Sequence, residues 1–460
     1  MFLKEEENIK LKKKLIKAIE NEKDLDIKSF IIIKDNEIIS KYVKMPYLFK
    51  NKHILFSMTK SFSSLAIGLL QDKGLLNITD KVIDYFKDKM PTCISENLAK
   101  MEIKDLLTMS SGVHENTYES ILRQEDWVKA FLEKEFKHKP GTYYKYNTHG
   151  SHILSAIVER VAGINLMEFM IENLFNPLEI YNAEWEYARD GYIAGGMGLS
   201  LDIESVAKVG YMLLNNGVYL GKRIISSEYI NQATTNKIYK HSEEDRLDRI
   251  YSGMNYGYQF HIGKDNCFRM DGAFGQICLI NKEKNMLVVV NSLNSKVEKL
   301  LKVIYDNVFN YSLNNILDSN EKDNRANLKE DNYKIPFEGE FIFTECKNNI
   351  DNIKILINKK KVTILTTKNN SSNQKLEAYF TKENYGESIF IKDLNEISQT
   401  YWSKIFIEEN IIRVEVRYLE TPYVCNYLIE KNEKYCKLEF IINTSFIIES
   451  YKTSAEILKF

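Results

Sequence analysis

The alternation of hydrophobic and polar residues predicts strands at both ends of the first 310 positions and helices between them. Two β-branched runs within residues 29–42 flank Asp35 and Asn36, which is typical of a hairpin. From residue 56 to about 236, apolar residues recur every three or four positions and predict helices. Strand patterns return at 256–262, 276–281 and 286–291, before a last helix at 296–309. This order predicts an α+β fold, an antiparallel sheet flanked by helices with a helical insertion.

Two of the predicted helices carry signals for their C-terminal ends. Phe62, Leu65 and Leu69 lie on one face of the first helix, and Gly74 follows that run. A second run of the same spacing, within residues 153–161, ends before Gly163. Glycine is common just after a helix because it adopts the left-handed conformation without strain. Both glycines are therefore predicted helix caps.

Beyond residue 336 the pattern changes to a period of two, which predicts a separate all-β region. Ile412, Val414 and Val416 alternate with Arg413 and Glu415, so one strand face is apolar and the other polar. Residues 318–334 are polar and charged, with almost nothing to bury. We therefore expect a first domain at 1–317, a linker at 318–335 and an antiparallel β-sheet or barrel domain at 336–460.

Charge and composition exclude several classes of function. Sixty-three basic and 64 acidic residues give a net charge of -1, so no overall field attracts phosphate backbones or anionic lipid. We expect neither nucleic acid nor a membrane as partner. The N-terminal residues lack the apolar stretch of a secretory signal, no window approaches 18 apolar residues, and the six cysteines form no C-x-x-C pair. These features predict a cytoplasmic protein with reduced thiols.

A serine and a lysine at the start of the first strong helix are candidates for covalent catalysis. Ser57 and Lys60 are three positions apart, so they share a helix face and the ammonium can approach the hydroxyl. The positive field of a helix N-terminus also favours an alkoxide. The same S-x-x-K spacing occurs at Ser205, Ser319 and Ser372. The spacing alone therefore does not establish a catalytic site.

Five segments in order set the first match apart from the others. They are HILFSMTKSFSSLAIGLLQDKGLLNITDKVIDYF, IKDLLTMSSGV, PGTYYKYNTHGSHILSAIVERVAG, GGMGLSLDIESVAKVGYMLLNNGVYLGKRII and RMDGAFGQICLINKEKNMLVVVNS. Together they resemble the penicillin-binding-protein-like serine hydrolases, the superfamily of class C β-lactamases, D-peptidases and related esterases. The resemblance covers about residues 28–310 and implies a β-lactamase/transpeptidase-like fold. It also implies hydrolysis through an acyl-enzyme, without a metal or other cofactor.

The resemblance assigns roles to individual residues. Ser57 would be the nucleophile and Lys60 its partner, and Tyr146 matches the tyrosine of the family's Y-x-N motif. A phenol with a pKa of about 10 needs a cationic neighbour such as Lys60 to act as a base or proton relay. The backbone N–H groups of Ser57 and Ala273 would form the oxyanion hole. Gly272 would let the substrate approach the adjoining strand.

Two departures from the family pattern bear on the substrate. Thr148 stands where the Y-x-N motif ends, and its hydroxyl lacks the combined donor and acceptor groups of an amide. The third motif, Lys or His before Thr or Ser and then Gly, aligns with Met270, Asp271 and Gly272, so its cation is absent. Alternation along a strand sends Arg269 to the face opposite Met270. We expect Thr148, Asp271 and Gly272 to bind substrate, and Asp271 to repel anionic substrates in favour of neutral or cationic ones.

Several histidines and glycines allow other interpretations. His149 and His152 would suit a metal pair, but no third ligand lies nearby, so solvated or core histidines are favoured. His114 is at most a residue that lines the pocket. The glycines at 195, 196 and 198 indicate tight backbone packing under the active site, because no phosphate-loop lysine follows them.

The sequence thus predicts a cytoplasmic serine hydrolase that acts on small esters or amides through an acyl-enzyme at Ser57. D-amino-acid amides and short D-peptides suit it better than penicillins. The alternative is a catalytically weak binding or sensor protein on the same scaffold. The β domain would cover the pocket, restrict substrate size or mediate contacts in a homo-oligomer, and its sequence does not choose among these.

Overall fold

The structure is a computed structural model that describes residues 2–240, 249–310, 335–369 and 372–456. The chain divides into two compact units. One contains Met1–Phe309 together with Lys392–Asn395, and the other contains Asn310–Ile391 and Glu396–Phe460. The predicted linker at 318–335 lies, except for its last residue, outside the described residues.

The first unit is built on an antiparallel sheet whose strands come from both ends of the unit. The strands of this unit, which belong to more than one sheet, are β1 (Leu25–Lys34), β2 (Glu37–Val43), β3 (His53–Ile54), β4 (Glu184–Trp185), β5 (Leu199–Leu201), β6 (Val218–Tyr219), β7 (Lys222–Arg223), β8 (Ile238–Tyr239), β9 (Asn255–Tyr256), β10 (His261–Ile262), β11 (Phe268–Gly272), β12 (Gln276–Asn281) and β13 (Met286–Ser295). The eight-stranded sheet has the order β2-β1-β13-β12-β11-β10-β9-β8, and β3, β5 and β4 form a smaller sheet. Asp35 and Asn36 both have positive φ, as a two-residue hairpin turn requires.

Helices of the first unit cover the large sheet and form the insertion. They are α1 (Phe2–Glu20), α2 (Thr59–Asp72), α3 (Glu96–Lys100), α4 (Ile103–Leu107), α5 (Tyr118–Leu122), α6 (Trp127–Leu132), α7 (Thr148–Ala162), α8 (Leu166–Met170), α9 (Ile203–Leu214), α10 (Ser227–Ala233) and α11 (Val297–Ile304), the last followed by a π-helical turn at Tyr305–Phe309. Helix α9 packs on β1, β12 and β13, whereas α1 and α11 contact each other and the same sheet. No helix in the described ranges is long and apolar enough to cross a membrane.

Helix α2 is the centre of the first unit. All of its residues from Thr59 to Leu70 are buried, and it packs against α7. Gly74 follows its end with φ 69°, and Gly163 caps α7 with φ 72°, so both predicted caps are confirmed. Asn147 caps the start of α7 because its side chain accepts a hydrogen bond from the N–H of Gly150. These caps fix where the residues at both helix starts lie.

The strand predicted at 256–262 is interrupted in the structure. Strand β9 ends at Tyr256 and β10 begins at His261. Between them Gln259 has φ 62°, and its side-chain amide donates to the carbonyl oxygens of Leu106 at 2.9 Å and Leu107 at 3.0 Å. These long-range hydrogen bonds override the local strand preference.

The second unit is all-β and antiparallel. Its strands are β14 (Gly339–Phe343), β15 (Asn352–Ile357), β16 (Lys361–Lys368), β17 (Ser372–Tyr379), β18 (Asn384–Ile391), β19 (Glu396–Glu408), β20 (Ile411–Tyr418), β21 (Val424–Lys431), β22 (Tyr435–Ile442) and β23 (Tyr451–Glu456). They form sheets β14–β17 and β18–β23 in chain order. Strand β17 also contacts β18, and β14 contacts β23, so the sheets adjoin at both edges. In β20 buried and half-buried residues alternate as predicted.

Candidate active site

Ser57 lies in a short 3-10 turn, Phe56–Met58, that leads directly into α2. Phe56 has φ 50°, a left-handed conformation that bulky residues rarely adopt. Phe56 and Met58 are buried, whereas Ser57 between them is partly exposed. The turn therefore leaves the hydroxyl accessible to a substrate while its neighbours anchor it in the core.

Lys60 lies one helical turn after Ser57 and is 2% exposed. Its Nζ donates hydrogen bonds to Ser57 Oγ at 2.9 Å and to the carbonyl oxygen of Gly196 at 2.7 Å. The same nitrogen lies 5.0 Å from the centroid of the Tyr146 ring. The structure thus brings Ser57, Lys60 and Tyr146 together, although Tyr146 comes from a distant part of the sequence.

The environment of Lys60 changes its protonation. Burial lowers the pKa of Lys60 from 10.5 to about 7, because the ammonium loses hydration. The carboxylate of Asp393 raises the pKa and so acts in the opposite direction. A lysine with such a pKa is neutral in about half of the molecules at pH 7. The neutral amine can accept the proton of Ser57.

The end of β11 lies against the backbone that precedes Ser57. A Cβ atom on Gly272 would be 2.2 Å from the carbonyl oxygen of Leu55, so a larger residue would force the two segments apart. The rings of Phe56 and Phe274 pack edge to face with centroids 5.2 Å apart. Ala273, between Gly272 and Phe274, therefore lies next to the Phe56–Met58 turn. The backbone amides of Ser57 and Ala273 are thus on adjoining segments.

Gly196, whose carbonyl accepts from Lys60, and its neighbour Gly195 pack closely on α7. A Cβ atom on Gly195 would lie 2.5 Å from the carbonyl oxygen of Ser151, and one on Gly196 would lie 2.6 Å from that of Thr148. Neither position has room for a side chain. This contact supports the interpretation of tight packing beneath the site, and it fixes the carbonyl to which Lys60 donates.

Thr148 and its neighbour Asn147 differ in burial and in their contacts at the start of α7. Thr148 is the first residue of α7, is partly exposed, and faces the backbone of Gly196. Asn147 is buried, and its amide donates to Thr117 Oγ1 at 3.0 Å in addition to capping α7. Asn147 therefore stabilises the helix start, and Thr148 is the residue of the pair that remains available to a ligand.

The acidic residue of the third motif is paired within the chain. Arg269 Nε donates to Asp271 Oδ2 at 2.9 Å, and Arg269 Nη1 donates to the carbonyl oxygen of Ser252 at 2.8 Å. Arg269 is 2% exposed and the Asp271 side chain 14%. Met270 points the other way, into the apolar core, and is fully buried. Asp271 is therefore ion-paired with Arg269, because residues two apart on a strand lie on the same face.

A second carboxylate lies close to Lys60, and the sequence pattern does not reveal it. Asp393 Oδ2 accepts a hydrogen bond from the N–H of Gly198 at 3.0 Å. Burial raises the pKa of Asp393 to about 7, Glu186 adds to this, and the Gly198 hydrogen bond and Lys60 oppose it. The tetrapeptide Lys392–Asn395 belongs to the first unit. In the sequence it has the composition of an ordinary turn between two strands, so only the fold reveals its position.

His149 and His152 are core residues. His152 Nε2 is 2.9 Å from Asp190 Oδ2, and both side chains are 1% exposed. His149 is fully buried, and burial lowers its pKa to about 3. Nowhere in the described ranges do three metal-ligating side chains cluster. His114 is exposed, and its Nδ1 lies 2.9 Å from Nε2 of His138.

Comparison with known proteins is consistent with this arrangement. The model of the β-lactamase family matches residues 19–305. The 6-aminohexanoate-dimer hydrolase of Paenarthrobacter ureafaciens is 21% identical over 219 residues, which are 44% of this chain and 55% of that enzyme. The chain thus spans about half the length of that curated relative.

Two solved structures share the fold. One is an octameric penicillin-binding protein homologue from Pyrococcus abyssi, with a TM-score of 0.53 and 17% identity over 97% of this chain and 99% of that one. The other is EstCE1, a hydrolase with promiscuous acyltransferase activity, with a TM-score of 0.55 and 15% identity over 66% of this chain and 99% of that one. At these identities the likeness concerns the fold.

Proposed function

The chain belongs to the β-lactamase family, and on that premise we propose that it is a serine hydrolase that cleaves small esters or amides through an acyl-enzyme at Ser57. One observation carries the proposal. A buried amine whose pKa is lowered to about 7 donates at 2.9 Å to a partly exposed hydroxyl. An adjacent base of this kind activates a serine nucleophile.

In the proposed acylation step, the neutral Lys60 amine accepts the Ser57 proton while the serine oxygen attacks the substrate carbonyl carbon. The N–H groups of Ser57 and Ala273 stabilise the oxyanion, each by about 2.7–4 kcal/mol. The proton then passes to the leaving alcohol or amine, directly or through the hydroxyl of Tyr146, and the scissile bond breaks. In deacylation a water molecule attacks the carbonyl carbon of the acyl-enzyme and gives a proton to Lys60. The bond to the Ser57 oxygen then breaks, and that oxygen takes up a proton.

The residue at the position of the motif cation favours neutral or cationic substrates. Met270 takes the place of the motif cation and lies in the apolar core, so position 270 offers no charge to a penicillin carboxylate. The matched relative from Paenarthrobacter ureafaciens is a hydrolase of 6-aminohexanoate dimer, which agrees with a small amide as substrate. Because the Pyrococcus homologue is octameric, we also propose that this chain assembles into a homo-oligomer.

The loss of the motif cation is also the observation that favours the alternative. A scaffold that keeps Ser57, Lys60 and Tyr146 but has lost part of its substrate site would bind or report a ligand with little turnover. Such a protein would still form a covalent adduct with an activated acyl donor, but would release it slowly.

Labelling with a fluorophosphonate probe followed by intact mass tests the nucleophile. We expect one adduct per chain, its loss in Ser57→Ala, and no change in Ser398→Ala, a control on an exposed strand position. A panel of p-nitrophenyl esters and D-amino-acid amides then measures turnover. Adduct formation without any turnover favours the sensor, and unchanged labelling of Ser57→Ala rejects the site.

A further inference from the structure

Two glutamates hold the tetrapeptide Lys392–Asn395 in place. Glu186 Oε2 accepts from the backbone N–H groups of Leu394 at 3.1 Å and Asn395 at 2.9 Å, and from the side chain of Asn395 at 2.9 Å. Glu184 Oε2 accepts from Lys392 Nζ at 3.1 Å, and Lys392 is 2% exposed. The charge of Lys392 is therefore paired, and the segment is fixed at both ends.

This anchoring places Asp393 beside the catalytic lysine. Lys60 donates to the carbonyl of Gly196 and Asp393 accepts from the N–H of Gly198, so their anchors are two residues apart on one backbone segment. The two groups influence each other electrostatically, and Asp393 also raises the pKa of Tyr118. Asp393 thus lies beside the backbone segment that also anchors Lys60, the hydrogen-bond partner of Ser57.

The negative charge at this position is only partly compensated. The bond from Gly198 is the one hydrogen bond that the described residues supply to Asp393, and the residue is partly exposed. Glu186 lies close enough to raise the pKa of Asp393, and Glu186 Oε1 is buried with no hydrogen-bond partner among the described residues. A partly desolvated carboxylate next to another one is stabilised by a cation.

Lys60 cannot fill that role throughout the reaction, because it must be neutral to accept the Ser57 proton. When Lys60 is neutral it no longer holds down the pKa of Asp393, so the carboxylate form of Asp393 is favoured only where another cation takes the place of Lys60. We infer that Asp393 forms a subsite for a protonated amine of the substrate, so that the enzyme selects amino-acyl esters or amides that carry an ammonium group near the scissile carbonyl. This inference rests on the proposed function and names the substrate class of that site.

Pairs of substrates that differ in one charge test the subsite. The p-nitrophenyl esters of alanine and isobutyric acid differ by ammonium against methyl, and those of 6-aminohexanoic and heptanoic acid repeat the comparison at a longer reach. For each pair the ratio of kcat/KM values is measured in the wild type and in Asp393→Asn. Dividing one ratio by the other cancels the chemical reactivity of the esters.

We expect Asp393→Asn to lower the preference for at least one ammonium substrate by about tenfold or more, the effect of losing one close ion pair. Glu409→Gln removes the same charge at an exposed turn and should keep the wild-type ratio. If circular dichroism shows that Asp393→Asn does not fold, Asp393→Ser replaces it in the same comparison. An unchanged ratio in both pairs overturns the subsite.

A binding measurement separates failure of the subsite from failure of the proposed function. Calorimetry on Ser57→Ala compares alaninamide with isobutyramide, and 6-aminohexanamide with heptanamide, without any turnover. Tighter binding of an amine, abolished by adding Asp393→Asn, supports the subsite even if the wild type hydrolyses none of the esters. Equal binding of amine and neutral amide in both pairs overturns it, whatever the esterase activity.

Discussion

The pH dependence of activity should follow the protonation of Lys60. Its pKa lies at about 7 in the fold against 10.5 in water. One unit corresponds to about 1.4 kcal/mol, so the buried site disfavours the ammonium by about 5 kcal/mol. If the neutral amine is the base, about 1% of the molecules are competent at pH 5 and about half at pH 7. The value of kcat/KM should therefore rise about fiftyfold between these pH values and level off above pH 8.

The two histidines around Lys60 do not obscure this behaviour. His149 and His261 are both within its electrostatic reach, but burial lowers the pKa of His149 to about 3 and that of His261 well below 6.5. Both therefore stay neutral across the range. Asp393 opposes the effect of burial on Lys60, and because burial raises its own pKa to about 7 it titrates in the same range. The variant Asp393→Asn removes that titration.

The assay is kcat/KM for a neutral ester between pH 5 and pH 9, together with the rate of fluorophosphonate labelling over the same range. Asp393→Asn removes the charge that raises the pKa of Lys60, so its acidic limb should move to lower pH. A limb centred near pH 10, no pH dependence, or a shift of the Asp393→Asn limb to higher pH would refute the assignment of Lys60 as a buried base.

Three substitutions test other parts of the site. Lys60→Met should abolish activity yet raise the unfolding free energy at pH 7 by about 1–3 kcal/mol, measured by urea titration. The reason is that the penalty of the buried ammonium is fully present below pH 7 and fades as the pH rises towards 10.5. A variant less stable than the wild type contradicts this. Gly272→Ala places a Cβ 2.2 Å from the Leu55 carbonyl oxygen and should lower kcat about a hundredfold through the oxyanion hole; an unchanged kcat shows that the contact is dispensable. Arg269→Ala leaves Asp271 without its partner and should cost about 3 kcal/mol of stability, part of which the added Asp271→Asn recovers; no recovery means that packing, and not charge, explains the loss.

Elements with local signals are predictable from the sequence. The apolar spacing from Phe62 to Leu69 indicates helix α2, and Gly74 marks its end, because a helix face and its cap lie within a few residues of each other. The alternation in β20 is equally local. The proximity of Ser57 and Lys60 follows from their spacing on one turn.

The pairing of Arg269 with Asp271 was also within reach of the sequence. Alternation that directs Arg269 away from Met270 directs it towards the face of Asp271, since positions two apart share a strand face. By contrast, the loop at Gln259 depends on carbonyl groups of Leu106 and Leu107, more than a hundred positions earlier. No local pattern contains that information.

Position 393 is the clearest case of a contact that only the fold provides, and it changes the meaning of the altered third motif. Met270 removes a positive charge that the family pattern has near the nucleophile, and Asp393 adds a negative one beside Lys60. Both changes act in the same direction on a charged substrate: an anion loses its partner and meets repulsion, whereas a cation meets a carboxylate. A lysine restored at position 270 would not reverse this, because that side chain points into the apolar core, where a charge is costly, and Asp393 would remain. Selectivity for charge in this site therefore depends on Asp393 more than on the residue that the family motif would identify.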